Sequence, residues 1–151
     1  MATEKGDRSQ SEYDTLVSQK KTVKNNYDAA INKRTELQNK INRLNAVKSE
    51  VTSLKTSFKA LKSIDSSTKK TKRKWKGRNY TRYSNNMGNL IDENNNYYDH
   101  IDYILDNINN QLLQFTLELN SNNSLINKLW AQFKKLGTKV ENYWKIVSSD
   151  V

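Results

Sequence analysis

The chain has no proline, no cysteine and only four glycines in 151 residues. Without proline, and with little glycine, long helices meet few breakers. The lack of cysteine excludes a disulfide framework, a thiolate zinc site and a cysteine nucleophile, but leaves the compartment open. His100 is the single histidine. Asp99 beside it cannot easily share its helical face, and Asp106 is poorly spaced for metal, so His100 reads as solvated. No apolar run approaches the roughly 20 residues needed to cross a bilayer. The opening Met1-Ala2-Thr3-Glu4-Lys5-Gly6-Asp7-Arg8 lacks the hydrophobic region of a general secretory signal. No phosphate-binding glycine loop or Ser-His-Asp set is visible. Asp92, Asp99, Asp102 and Asp106 recur near one helical face. Acid–base work needs a walled pocket, which two helices alone do not build, so these acids read as a charged outer stripe. The expectation is a protein with no catalytic residues, no cofactor and no metal.

Two long amphipathic stretches are present instead. Hydrophobic residues make up only 34% of the chain, which suits a narrow apolar seam better than a thick globule. The first stretch runs from about Glu12 to Ile64. Its repeat is strongest at Leu37, Ile41, Leu44, Val47, Val51, Leu54, Phe58 and Leu61. Steps of four and three mark a coiled-coil-like seam, and the step from Leu44 to Val47 suggests a stammer. The second stretch begins near Tyr80. Its seam reads Tyr80, Tyr83, Met87, Leu90, Asn94, Tyr97, Ile101, Ile104, Ile108, Leu112, Phe115 and Leu119. Asn94 is a polar seam residue of the kind that can fix register. Asn120-Ser121-Asn122-Asn123-Ser124 is weak helix, yet the phase resumes at Ile126 and runs to Val147.

The expected fold is all-α: an elongated antiparallel helical hairpin, coiled-coil-like, with an extended C-terminal helix. Residues 1–11 read as a frayed tail and 12–147 as one domain. That domain holds a helix over 12–64, a basic connector over 65–79 and a helix over 80–147, with a bend or break at 120–124 left open. Lys69 to Arg78 holds seven basic residues in ten, with Trp75 the only large apolar group of the connector and Gly77 beside it.

Charge separates the two stretches. Leu16 to Ser63 carries eleven basic residues against Asp28, Glu36 and Glu50, whereas Tyr83 to Asn127 has six acids and no Lys or Arg. Opposite charge favours mutual attraction across the seam. If Ile64 lies opposite Tyr80, then Leu37 faces about Asn107 and Tyr13 faces about Ala131. Residues beyond about Gln132 then have no mate in the first helix. On that register Trp130, Phe133, Leu136, Val140, Tyr143 and Trp144 form a docking stripe for a partner helix. A fold-back onto the hairpin is the alternative. The basic connector, with aromatics nearby, also fits a coiled-coil module binding nucleic acid or another acidic partner, and a purely structural hairpin is a third reading.

A long polar helix, Trp75-Lys76-Gly77 in the connector and a second long helix resemble the Trp-x-Gly superfamily of type VII secretion. The run Trp75-Lys76-Gly77-Arg78-Asn79-Tyr80-Thr81-Arg82-Tyr83 is similar to a branch of small helical proteins encoded beside LXG toxins in Gram-positive bacteria. The resemblance covers about residues 13–120. It implies a non-enzymatic accessory or targeting adaptor, a chaperone-like partner of the toxin's helical N-terminal domain. The implied partners are an LXG-domain toxin and a second small helical accessory protein, in a hetero-oligomer. The implied location is cytoplasmic, with co-export by type VII secretion as an option. Trp75 and Gly77 carry over as the turn motif. Tyr98-x-x-x-Asp102 matches the letters of the secretion-type motif but lies inside the second helix rather than after the hairpin.

Overall fold

The computed structural model describes residues 2–71 and 77–149, with side chains for 9–61, 63, 77–146 and 148. Two helices account for nearly all of it: α1, Ala2–Thr71, and α2, Arg78–Ser149. They pack against each other as a helical hairpin, and no strand occurs among the described residues. Gly77 precedes α2 with φ of 120°, a conformation glycine adopts without a Cβ penalty. Its carbonyl accepts the Thr81 N–H at 3.1 Å, the first bond of α2. Trp75, with residues 72–76 of the basic connector, lies outside the described residues.

Two boundaries differ from the sequence reading, and the question left open at 120–124 is answered. α1 already begins at Ala2 rather than at Glu12, and it continues to Thr71 rather than ending at Ile64. α2 passes through 120–124 without interruption. Weak intrinsic propensity there is overridden by tertiary contacts, as the Asn122 geometry below shows.

The contacts group into two packing units: Met1–Asn39 with Phe115–Val151, and Lys40–Gln114. In both helices the shielded positions step alternately by four and three, from Ser9 to Phe58 in α1 and from Tyr80 to Tyr143 in α2. This is a heptad repeat abcdefg with a and d turned inward. The α1 seam runs from Leu44 to Lys48 and Val51, so the stammer expected at Val47 is absent.

In the first unit, Ala30, Ile126 and Leu129 are buried together, with Val23, Tyr27 and Ile31 packed against them. Asn122 is buried at 5% exposure, and its Nδ2 donates to the Ala30 carbonyl at 2.8 Å. The polar residue sealed into a seam is therefore Asn122. Asn94, the expected one, is only half-buried. Tyr27 meets Trp130 with ring centroids 5.4 Å apart, and Tyr13 meets Trp144 at 5.9 Å. The two pairs lie two heptads apart on each helix. Tyr13 thus faces Trp144 instead of the neighbourhood of Ala131. The expected register erred because it anchored the turn on Ile64 and Tyr80, whereas α1 extends a further two turns.

In the second unit Ile101 and Ile108 are the buried residues. Phe58 stacks on Tyr97 at 5.9 Å, and Lys55 forms an ion pair with Asp102. Here Lys48 and Lys55 take a positions while Val47, Leu54 and Leu61, expected in the seam, stand at g and are about half exposed.

Candidate docking surface

The six residues expected to overhang α1 all lie opposite it in the first unit. Trp130 is sandwiched on one side by Tyr27 and stacks on Phe133 at 5.7 Å. The Lys20 ammonium sits 5.2 Å from the Phe133 ring, and Lys134 sits 5.3 Å from the Trp130 ring, both within cation–π range. Leu136 shares a groove with Val23. Val140 is half-buried. Tyr143 donates its hydroxyl to Glu12 Oε2 at 2.8 Å. That hydrogen bond, together with the Glu12 charge, raises the Tyr143 pKa above its usual 10.0. An unpartnered overhang therefore does not exist. The phase expected for residues 126–143 is correct, but its mate is the stretch from Glu12 to Tyr27 of α1, which the expected register set opposite residues no later than about Gln132.

The first unit has two dissimilar edges. On one, the a and e positions of the two helices meet. There Tyr13, Tyr27, Trp130 and Trp144 close the seam while leaving outer surface: Trp130 is 43% and Trp144 58% exposed, with Val17 at 41% on α1. Gly137 lies midway between the two tryptophans, and a Cβ placed there would touch only the Lys20 side chain, at 3.8 Å. Gly137 thus adds no side chain between the two indoles, and Lys20 of α1 lies against it. On the other edge, where d and g positions meet, the seam stays open. Neighbouring grooves of about 450 and 480 Å³ share Gln19 and Lys139 and are floored by Leu16, Val23 and Leu136.

Tyr98 and Asp102 lie one turn apart in the second unit and converge on Lys55 of α1. Its ammonium sits 5.1 Å from the Tyr98 ring and pairs with the Asp102 carboxylate. The Asp102 hydrogen bond, first among the causes, raises the Lys55 pKa above its usual 10.5. In this fold the two letters of the would-be secretion motif join the helices to each other. His100 is exposed and stacks on Tyr103 one turn on, at 6.4 Å. Among the described residues no group of three His, Cys, Asp or Glu gathers to hold a metal. No helix among them is long and apolar enough to cross a membrane.

Sequence reasoning missed Asn122, Tyr13, Lys20 and Lys55. Asn122 had a signal: it falls midway in phase between Leu119 and Ile126, where a seam residue is due. Lys20 and Lys55 had none, because a lysine at a seam position resembles any surface lysine until its ring partner is known.

Residues 9–138 match the family model described as YwqH-like. The chain belongs to the YwqH-like family. These are small helical proteins of the kind associated with LXG toxins and type VII secretion. No curated protein and no solved structure matches the chain.

Proposed function

We propose that this YwqH-like protein is a non-enzymatic accessory or targeting adaptor of type VII secretion. It binds the helical N-terminal domain of an LXG toxin in a hetero-oligomer and promotes the toxin's export. Its membership of the Trp-x-Gly superfamily, through Trp75 and Gly77, is part of the same proposal. The carrying observation is the half-exposed pair Trp130 and Trp144. Tryptophan is the residue type most enriched at binding hot spots, and two of them a fixed distance apart on one edge suit a partner helix laid along that edge. The inner faces of Phe133, Leu136, Val140 and Tyr143 support this edge from behind.

The test is co-expression with the N-terminal domain of an LXG toxin encoded beside this chain. Co-purification should withstand moderate salt, since an apolar helical interface is weakly screened, whereas nucleic-acid binding collapses over the same range. Trp144→Ala should reduce recovery of the toxin domain while the hairpin keeps its helical circular dichroism. Full binding by a folded Trp130→Ala/Trp144→Ala protein would remove this edge from the interface.

A further inference from the structure

In the Lys40–Gln114 unit the open edge of the hairpin is apolar on both helices. On α1 the g positions are Glu12, Gln19, Asn26, Lys33 and Lys40, and then Val47, Leu54 and Leu61. On α2 they are Tyr83, Leu90, Tyr97 and Ile104, and then Gln111 and Glu118. On α1 the apolar g positions fall only inside this unit, and on α2 all of them but Leu125 and Ile146 do. Val47, Leu54, Leu61, Leu90 and Tyr97 are 42% to 58% exposed, and the Phe58–Tyr97 stack places the two columns on the same edge.

A two-stranded seam needs only a and d. An apolar a, d and g face is the width a helix presents inside a larger bundle. The way α1 is rotated sharpens the point. Turning it by about 50°, half the angle between successive residues, so that d and g replace a and d, would bury Val47, Leu54 and Leu61 beside Leu44, Val51 and Phe58 and free Lys48 and Lys55. For a lone hairpin that rotation removes more apolar surface from water. The fold instead tucks the lysines inward and leaves the leucines out.

We infer that this face is covered by the same face of a second copy of the chain, giving a two-fold, four-helix bundle. Charge selects this occupant. Lys40, Arg43, Lys48, Lys55 and Lys59 make this part of α1 basic, against Glu50. The facing part of α2 has Asp92, Glu93, Asp99, Asp102 and Asp106 and no Lys or Arg after Arg82. In an isologous pair with helices alternating around the bundle, each α1 lies beside its own α2 and the partner's α2. The basic-to-acidic match is then made twice. This association is separate from toxin binding, because the tryptophan edge belongs to the other unit.

The purified full-length chain decides the matter by sedimentation equilibrium across a concentration series. The expected result is twice the chain mass, with Leu54→Glu/Leu90→Glu weakening the dimer by about a hundredfold or more, since central apolar contacts dominate such interfaces. Leu117→Glu, an exposed leucine of the other unit, should leave the dimer unchanged. The absence of cysteine permits a second readout. A polarity-sensitive label on Leu61→Cys should shift to the red on dilution, with the sedimentation midpoint. A monomeric wild-type chain at every concentration overturns the inference. So does a dimer indifferent to Leu54→Glu/Leu90→Glu, or a label that stays water-like throughout.

Discussion

The Asn122 side-chain amide donates a 2.8 Å hydrogen bond to the Ala30 carbonyl inside the seam of the first unit. Ala30 has a smaller side chain than Val23 and Leu37, the equivalent residues one heptad to either side, and so leaves room for the amide to reach a carbonyl of α1. A slip by one heptad would leave it unsatisfied in apolar surroundings, which costs about 1–3 kcal/mol. The residue thus works against alternative registers, the role a polar group serves in an otherwise apolar seam.

Asn122→Ala should lower stability by about 1–2 kcal/mol, from the lost hydrogen bond and the small void. Asn122→Leu should keep or raise the melting temperature, because an apolar residue suits the site, but should relax the register. Thermal melts report the first effect. A single set of amide resonances for the wild type, and several for Asn122→Leu, would report the second.

Deleting residues 132–151 should unfold the first unit. Phe133, Leu136 and Tyr143 contact the start of α1, so the truncation strips a seam. Loss of helical signal well beyond the share of the deleted residues is the expected outcome. A truncated chain that keeps its helicity per residue would contradict the pairing of Tyr13 with Trp144.

Gly88 and Gly137 should respond in the opposite direction to Gly77. Gly88 has open space around a built Cβ, and Gly137 meets only a flexible lysine. Alanine at either should stabilise by about 0.5–1 kcal/mol through lower unfolded-state entropy and better helix propensity. Gly77→Ala should destabilise by about 1 kcal/mol or more, because φ of 120° is strained for any L residue. Denaturant midpoints at constant slope would measure all three.

Stability should fall on the alkaline side. Lys55 and Tyr143 both have pKa values raised in the folded state, by Asp102 and Glu12 respectively. A raised folded pKa means stability present in full below the unfolded value and lost as pH rises through the folded one. The unfolded values are 10.0 for tyrosine and 10.5 for lysine, so the loss begins above about pH 10. Lys55→Met and Tyr143→Phe should each flatten the slope of melting temperature against pH in that range. Since both groups border solvent, added salt should shrink the Lys55 contribution.

The sequence alone determined the helical class, the presence of two long amphipathic stretches, the phase of the second from Ile108 to Tyr143, and the charge contrast between them. Each of these is local: a repeat of three and four, few breakers, and a count of Lys and Asp along one stretch. What only the tertiary structure decided was which residue faces which. A heptad seam offers a similar apolar surface at every seventh residue, so a slip of nearly two heptads, such as that separating Ala131 from Trp144 opposite Tyr13, leaves the pattern intact. Register is fixed by features without periodicity: the length of α1 before Gly77, the Asn122 amide that needs Ala30, and the ring stacks of Tyr13 and Tyr27. The rotation of α1 in the second unit is non-local for the same reason. Val47, Leu54 and Leu61 read as seam in one dimension, and only the lysine contacts with Tyr98 and Asp102 show them turned outward.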